Sequence, residues 1–278
     1  NTEDTSGFAA AVAAAASADT VVIAIGEEAF QSGEARSVVD LRLKGVQEDL
    51  LKAVREANEN VIFVVMSGRP LVLTWAAENV PAILQCWHLG SETGHAIADV
   101  LFGDHNPAGR LPVTFYRSVD QLPPFESYVM KGRTYRYFEG EPLYAFGHGL
   151  SYTSFGYGNL QLPATVPAGE GLSVSVDVEN TGPRVGEEVV QLYLADVDAD
   201  VPVPLRTLAG FSRVSLDPGE KRSVSFELSP RQLSLIDPDW NRVIVPGTFA
   251  VAVGGGQPGT SPGVAGRFEV IGDVTELE

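Results

Sequence analysis

The sequence predicts an α/β domain with a parallel sheet between layers of helices, followed by an all-β sandwich. Three observations predict this fold class: apolar runs alternate with helical patterns over residues 8–117, Pro, Gly and aromatic residues crowd residues 118–155, and apolar and polar residues alternate over residues 156–278. Regular strand–helix alternation is typical of parallel sheets, and short alternating strands between turn residues are typical of sandwiches. The predicted domains are therefore 1–117 and 156–278, with a connecting strap at 118–155.

The first domain begins with the alanine-rich run FAAAVAAAASA, which has strong helix propensity. TVVIAIG, VIFVVMSGRP and AILQCWHLG are apolar runs expected of strands that are covered on both faces. KGVQEDLLKAVREANEN carries an apolar stripe at helical spacing. Pro70 suits the first turn of the next helix. SETGHAIADVLFG predicts a further helix with Ser91 as its N-cap and Gly103 just past its end.

The connecting strap, SVDQLPPFESYVMKGRTYRYFEGEPLYAFGHGLSYTSF, keeps neither helical nor strand periodicity for long. An irregular stretch of this length usually has a role in binding or packing. Its aromatic residues either anchor it onto neighbouring domains or line a sugar site, where aromatic faces stack on pyranose rings. We favour anchoring for most of them, because large aromatic side chains contribute most to packing.

The last region alternates apolar and polar residues in segments such as GLSVSVDVENTG, EEVVQLYLADVD and KRSVSFELS. Between them, ENTG and DPGE supply residues that suit the dihedral angles of turns. Roughly seven short strands at this spacing are typical of an immunoglobulin-like or fibronectin type III-like sandwich. The sequence lacks the Cys…Trp…Cys pattern of disulfide-pinned antibody domains.

Composition excludes several classes of function. The chain has 278 residues, 44% of them hydrophobic, and a formal net charge of -17, which disfavours binding to nucleic acid and to anionic membranes. An uncharged partner such as a sugar is indifferent to this charge. Cys86 is the single cysteine, so neither an intrachain disulfide nor a cysteine-based metal site is available. The sequence contains no phosphate-binding glycine loop, no Gly-x-Ser-x-Gly elbow and no histidines at metal-ligand spacing. It also contains no membrane span and no signal peptide. The first residues do not resemble a natural N-terminus and suggest a fragment.

The stretch EEAFQSGEARSVVD follows the first predicted strand and carries four carboxylates. Parallel sheets bind ligands at the carboxyl ends of their strands, which makes these carboxylates candidates for a catalytic role. Glu34, between Gly33 and Ala35, lies on a turn of small residues that can present it to a ligand. The alternative is a solvated carboxylate in a protein with 36 acidic residues, and composition alone favours it.

Two long segments, CWHLGSETGHAIADVLFGDHNPAGRLPVTFYRSVDQLP and GRTYRYFEGEPLYAFGHGLSYTSF, resemble the C-terminal part of glycoside hydrolase family 3. NTGPRVGEEVVQLYL and LAGFSRVSLDPGE are similar to the fibronectin type III-like end of that family. The resemblance implies a three-layer α/β sandwich domain, here incomplete at its start, and then the β-sandwich. It also implies an N-terminal (β/α)8 barrel that carries an aspartate nucleophile and is absent from this sequence.

The resemblance further implies the C-terminal portion of a retaining, exo-acting β-glucosidase that removes terminal, non-reducing β-D-glucosyl residues, for example from cello-oligosaccharides. In many family members the acid/base glutamate lies in the loop after the strand that matches VVIAIG, which makes Glu34 the candidate and Glu27 and Glu28 second choices. Many relatives have an arginine two residues before the aspartate that matches Asp40, whereas this chain has valine there. Arg36 stands in at a shift of two positions, and Arg36 and Ser32 are the candidates for substrate binding.

Two alternatives stay open, a β-xylosidase of the same family and a non-catalytic carbohydrate-binding or scaffold module without the barrel. The expected partners are a β-linked gluco-oligosaccharide, the N-terminal barrel of the same enzyme and a second copy in a homodimer, with neither nucleic acid nor membrane. Carboxylates alone perform the chemistry, so we expect no metal or organic cofactor. A periplasmic or secreted location also follows from the resemblance.

Overall fold

The computed structural model describes residues 3–277, apart from the side chain of Ala29. These residues form two compact units. The first unit runs to Phe102 and also includes Thr114–Val129 and Gly140–Tyr144. The second unit includes Gly103–Val113 and Met130–Glu139 and continues from Ala145. The strap predicted at 118–155 therefore contributes to both units, and its boundaries stay predictions.

The first unit contains a three-stranded parallel sheet, as the alternation of strands and helices predicted. The strands follow chain order, so β2 lies in the centre, and Val21 is opposite Val61. Its strands and helices are α1 (Phe8–Ala16), β1 (Val21–Gly26), α2 (Gln47–Ala57), β2 (Val61–Met66), α3 (Thr74–Asn79), β3 (Ala82–Gln85) and α4 (Thr93–Phe102).

Two predictions about helix starts are wrong. Helix α3 begins at Thr74, and Pro70 instead lies in the connection before it, so the proline does not occupy the first turn. Helix α4 begins at Thr93, whereas Ser91 lies in a short 3-10 turn, Gly90–Glu92. The Thr93 hydroxyl donates to the carbonyl of Gly90 at 2.6 Å, which orders the entry to the helix without a serine cap. Gly103, with φ +83°, ends α4 as predicted.

The core of the first unit forms around β2. This strand is buried on both faces, which is why its sequence is a continuous apolar run instead of an alternating one. Helix α2 turns its apolar stripe inward, and Leu51 and Val54 are buried. The fully or nearly fully buried apolar residues of this core include Leu51, Val54, Val61, Phe63, Val64, Val65, Leu71, Leu73, Ala76 and Phe115.

The second unit is a β-sandwich with one five-stranded and one three-stranded sheet, which confirms the predicted fold class. The five-stranded sheet has the order β5-β13-β12-β7-β8, the three-stranded sheet β4-β6-β9, and a small third sheet β10-β11-β14. The strands are β4 (Phe155–Gln161), β5 (Thr165–Pro167), β6 (Leu172–Asn180), β7 (Gly186–Asp196), β8 (Thr207–Leu216), β9 (Lys221–Leu228), β10 (Leu235–Ile236), β11 (Arg242–Ile244), β12 (Gly247–Gly254), β13 (Gly263–Ile271) and β14 (Thr275–Glu276).

Alternation along the strands builds the core of this sandwich. In β6 every second residue is buried, so Val174, Val176 and Val178 contact the core while the residues between them face outward. The core also includes Leu192 of β7 and the stacked rings of Phe249 and Phe268, whose centroids are 5.4 Å apart.

Aromatic residues of the strap pack within each unit, as the anchoring interpretation predicts. In the second unit Tyr135, which lies on the short helix α5 (Thr134–Tyr137), stacks on Phe146 with ring centroids 4.2 Å apart. Tyr135 also meets the ring of Tyr193 edge-on at 6.2 Å. In the first unit Phe115 and Tyr144 form an edge-on pair at 6.3 Å. These ring contacts bury apolar area within each unit, which is the anchoring role.

Candidate active site

The candidate site lies at the carboxyl ends of the three parallel strands. Because the strands run in the same direction, the segments that follow them emerge at one edge of the sheet. Glu27 follows β1, Gly68 and Arg69 follow β2, and His88 follows β3. The acidic stretch found in the sequence is the loop that leaves β1, which we call the β1 loop and define as residues 27–40.

Close backbone packing fixes the start of the β1 loop. The amide of Glu27 donates to the carbonyl of Met66 at 2.7 Å, and the amide of Gly26 donates to the Gln47 side chain at 2.8 Å. A Cβ at Gly26 would lie 1.9 Å from the Met66 carbonyl oxygen, so only glycine fits there. These contacts therefore fix the backbone conformation with which the loop leaves the sheet.

Glu27 is turned into the protein. Its side chain is only 6% exposed and forms an ion pair with Arg69. Its carboxylate also accepts a hydrogen bond from the amide of Gly68 at 3.0 Å. Both partners lie at the end of β2, so Glu27 ties the first residue of the β1 loop to the neighbouring strand.

Arg69 holds the β1 loop at two further points. Its guanidinium donates to the carbonyl of Gln31 at 3.1 and 3.2 Å and to the carbonyl of Arg36 at 3.1 Å. The side chain is 19% exposed, so these bonds are largely screened from water. A single cation thus contacts the loop at its start, before its tip and after its tip.

Glu34 lies at the tip of the β1 loop and is exposed. The tip is a turn in which the amide of Arg36 donates to the carbonyl of Gly33 at 3.2 Å. Gly33 has φ +129° and Ala35 has φ +58°, a conformation that costs a residue with a Cβ about 1 kcal/mol or more. Within residues 3–277 the Glu34 carboxylate makes neither a hydrogen bond nor an ion pair.

The other candidates occupy different positions around the tip. Glu28 is exposed, and its amide donates to the Gln31 side chain at 2.9 Å. Ser32 is half-buried. Its hydroxyl lies beside Gly68, at 3.1 Å from the position that a Cβ on Gly68 would occupy. The side chain of Arg36 is exposed, and its backbone carbonyl is what contacts Arg69.

Asp40 at the end of the loop is paired with a cation that follows it in sequence. Arg42 donates to both carboxylate oxygens of Asp40 at 2.9 Å. These hydrogen bonds hold the pKa of Asp40 well below its usual range. Arg42 therefore supplies Asp40 with a guanidinium.

Sequence reasoning missed two residues at this edge of the sheet, Arg69 and His88. A Cβ on Gly68 would lie 2.8 Å from Nε2 of His88, so this ring covers the end of β2. Arg69 and His88 lie near the ends of the runs VIFVVMSGRP and AILQCWHLG, which predicted strands, and that position was the available signal. Among the described residues, no group of three His, Cys, Asp or Glu side chains is arranged to hold a metal ion. Across residues 3–277, no helix combines the length and apolarity needed to cross a membrane.

Comparison with known families agrees with this architecture. The Glycosyl hydrolase family 3 C-terminal domain matches residues 2–152, and the Fibronectin type III-like domain matches residues 188–257. The chain belongs to glycoside hydrolase family 3. The candidate loop lies inside the first match, and the β-sandwich contains the second.

Relatives in this family are named for two activities. A protein named beta-xylosidase from Formosa agariphila is 42% identical over 89% of this chain. A protein named periplasmic beta-glucosidase from Salmonella typhimurium is 40% identical over 88% of this chain. The chain spans about a third of the length of these relatives, 35% and 34% respectively.

The fold also occurs in solved structures of the family. The beta-glucosidase from Listeria innocua, solved in complex with glucose, is 33% identical and superimposes with a TM-score of 0.87. The likeness covers 98% of this chain and 39% of that chain.

Proposed function

We propose that this chain is the C-terminal portion of a retaining, exo-acting β-glucosidase, to which it contributes the acid/base side of the active site. The observation that carries the proposal is the position of Glu34, an exposed carboxylate at the tip of the loop beyond β1. The loop lies in a chain whose relatives are named for hydrolysis of β-glucosides and β-xylosides. A group that protonates a departing oxygen must be reachable by substrate, and Glu34 meets that requirement.

In the proposed reaction Glu34 acts in both steps. An aspartate on an N-terminal barrel attacks the anomeric carbon, and protonated Glu34 gives its proton to the glycosidic oxygen as the C–O bond breaks. The resulting carboxylate then removes a proton from water as the water oxygen attacks the anomeric carbon and displaces the aspartate. Retaining enzymes of this kind keep their two carboxyl groups about 5 Å apart, which requires the barrel to lie over the β1 loop.

The contacts of the other two glutamates support this choice. Glu27 is occupied by Arg69 and by the amide of Gly68, and its side chain is almost fully buried. A carboxylate that already compensates a buried cation is poorly suited to carry a proton to substrate. Glu28 is exposed but lies at the start of a 3-10 turn, next to the sheet and not at the tip. Glu34 is the carboxylate at the tip.

The proposed substrate is a β-linked gluco-oligosaccharide that binds between the β1 loop and the barrel. Support comes from the Listeria innocua relative, whose structure contains glucose. We propose a periplasmic or secreted location on the same basis, since one relative is named periplasmic. A homodimer stays a prediction.

The test uses the product of the complete natural reading frame, assayed with β-glucosides of different leaving groups. Glu34→Ala should lower kcat/KM by about 10²–10⁴-fold on cellobiose or an alkyl glucoside, because the departing oxygen needs a proton. Cleavage of dinitrophenyl β-glucoside to the glycosyl-enzyme should persist, because that leaving group departs unprotonated. Azide should restore turnover by attacking the anomeric carbon and should yield a β-glucosyl azide.

The matched control is Glu59→Ala, which removes an exposed carboxylate that precedes β2, away from the carboxyl ends of the strands. It should leave every rate unchanged. Full activity of Glu34→Ala on cellobiose would exclude Glu34 as the acid/base, and the same pattern in Glu28→Ala would assign the role to Glu28. A reading frame that starts at Asn1, with a product that binds glucan but does not cleave it, would instead establish a non-catalytic module.

A β-xylosidase is the second candidate, because a relative at 42% identity carries that name. Paired assays on aryl β-glucoside and aryl β-xyloside decide between the two. A higher kcat/KM on the glucoside supports the proposal, and a higher value on the xyloside replaces glucose with xylose as the substrate.

A further inference from the structure

We infer that Arg69 is a positioning residue that holds the β1 loop in the conformation that presents Glu34. This inference rests on the proposed function, since it assigns Arg69 a role in the reaction through Glu34. Arg69 itself lies at the end of β2 and is bonded to the loop, so its effect on the reaction is indirect. The β1 loop is polar and has few hydrophobic contacts to stabilise its conformation. The hydrogen bonds from the Arg69 guanidinium stabilise it instead.

The contacts of Arg69 bracket Glu34. The guanidinium donates to the carbonyl of Gln31, three residues before Glu34, and to the carbonyl of Arg36, two residues after it. The distances are 3.1 and 3.2 Å to Gln31 and 3.1 Å to Arg36, which are ordinary hydrogen bonds. Fixing the backbone on both sides of the tip fixes the direction in which the tip points.

Glu27 completes this arrangement from the other side. It pairs with Arg69, and its second carboxylate oxygen accepts the amide of Gly68. The Glu27 and Arg69 side chains are 6% and 19% exposed, so the guanidinium is largely desolvated. Its N–H groups therefore depend on protein acceptors for hydrogen bonds. The buried ion pair thereby makes loss of either loop carbonyl costly, and this gives the loop one preferred conformation.

The β1 loop has few other means of holding its shape. From Glu28 to Asp40, every residue whose side chain is described is exposed or half-buried, so none contributes a core side chain. The turn at the tip also contains Ala35 in a left-handed conformation, which is unfavourable by itself. Without the Arg69 bonds the tip is expected to sample other conformations, and misplacement of a catalytic group by about 1 Å lowers a rate by about 100-fold.

Arginine is required at this position because of its geometry. A planar guanidinium offers five donors in fixed directions, which lets one side chain bond a carboxylate and two separate carbonyls. A lysine ammonium keeps the charge and satisfies Glu27, but it does not reach both carbonyls. Arg69→Lys therefore tests the hydrogen bonds apart from the charge, in a variant that retains a cationic partner for Glu27.

The first experiment compares Arg69→Lys and Arg69→Met with Glu34→Ala in the complete enzyme. Both Arg69 variants should lower kcat on cellobiose by about 10- to 100-fold and leave the first step on dinitrophenyl β-glucoside within about threefold. Arg69→Met combined with Glu34→Ala should be no slower than Glu34→Ala alone, because a positioning residue has nothing to position once its target is gone. The control Arg55→Met removes a guanidinium that bonds a single carbonyl, that of Asn79, and should change neither rate.

The second experiment needs no activity and uses the chain itself. Hydrogen exchange of the amides of Gln31 and Arg36, which donate to the carbonyls of Glu28 and Gly33, should rise by at least about tenfold in Arg69→Lys, while the amides of β2 keep their protection. Unchanged exchange in these residues would overturn the inference whatever the kinetics show. Equal losses on both substrates, or additive effects in the double variant, would also overturn it. If Glu34→Ala alone is fully active, the proposed function fails, and the exchange result separately decides whether Arg69 orders the loop.

Discussion

At the scale of single residues, the clearest electrostatic feature outside the site is the pair Arg110–Glu188 in the second unit. The two side chains are 10% and 4% exposed and lie 3.0 Å apart from Nη2 to Oε1. Arg110 also donates to the carbonyl of Gly255 at 3.3 Å. Burial raises the pKa of Glu188, whereas the charge of Arg110 and the hydrogen bond that Arg110 donates lower it. Glu188 is thus a buried carboxylate whose charge is compensated by Arg110.

This pair predicts a pH-dependent loss of stability in Arg110→Met. Removing the cation leaves ionised Glu188 buried beside Tyr157, which should lower the free energy of unfolding by about 3–5 kcal/mol near pH 7. The folded-state pKa of Glu188 already lies above its ordinary value and rises further in the variant. Ionised Glu188 therefore opposes folding above that pKa, and the penalty disappears as the pH falls through it towards the value of the unfolded chain.

Urea denaturation at about pH 7 and about pH 5 measures this effect. The difference in stability between Arg110→Met and the natural chain should shrink as the pH falls. Arg110→Met combined with Glu188→Gln removes the charge and should lose most of the pH dependence of that difference. A stability difference that is the same at both pH values would show that Arg110 acts through packing and its bond to Gly255, not through the charge of Glu188.

At the scale of elements, local patterns were sufficient to predict β1, β2 and the helices α1 and α2, because their apolar periodicity and helix propensity match their environment. Capping signals were less informative, since Thr93 and a 3-10 turn replaced the serine expected to start α4. The tip of the β1 loop was recognised from its small residues. The role of Arg69 was not, because its bond to Glu27 joins residues 42 positions apart and leaves no local pattern.

The close backbone packing at the start of the β1 loop makes Gly26 intolerant of a side chain. Gly26→Ala should lower the free energy of unfolding by at least about 2 kcal/mol, because its Cβ would lie 1.9 Å from the Met66 carbonyl oxygen and β1 and β2 must separate. Thermal and urea unfolding of the chain measure the loss. The same substitution at Gly94, the second residue of α4, where only the local helix lies within 4 Å of the added Cβ, should instead stabilise by up to about 1 kcal/mol. Equal effects at the two glycines would contradict this account.

At the scale of the whole molecule, the chain consists of two units that each bury their own core. The first core surrounds β2 and includes Phe63, and the second lies between two sheets and includes Leu192. A unit with its own core can unfold by itself. The pattern of strands and turns predicted these two architectures. Cys86 provides a probe for one of them, because it is the single thiol and lies in the first core, 4% exposed.

Burial raises the pKa of the Cys86 thiol to about 11, so in the folded chain both access and ionisation protect it from reagents that attack thiolates. Its labelling by a disulfide reagent therefore reports opening of the first unit. Phe63→Ala, which should cost about 3–5 kcal/mol, is expected to accelerate labelling by more than about 100-fold. Leu192→Ala removes a comparable amount of core from the second unit and should leave the labelling rate within about threefold. Equal acceleration by the two substitutions would mean that the units unfold together as one cooperative structure.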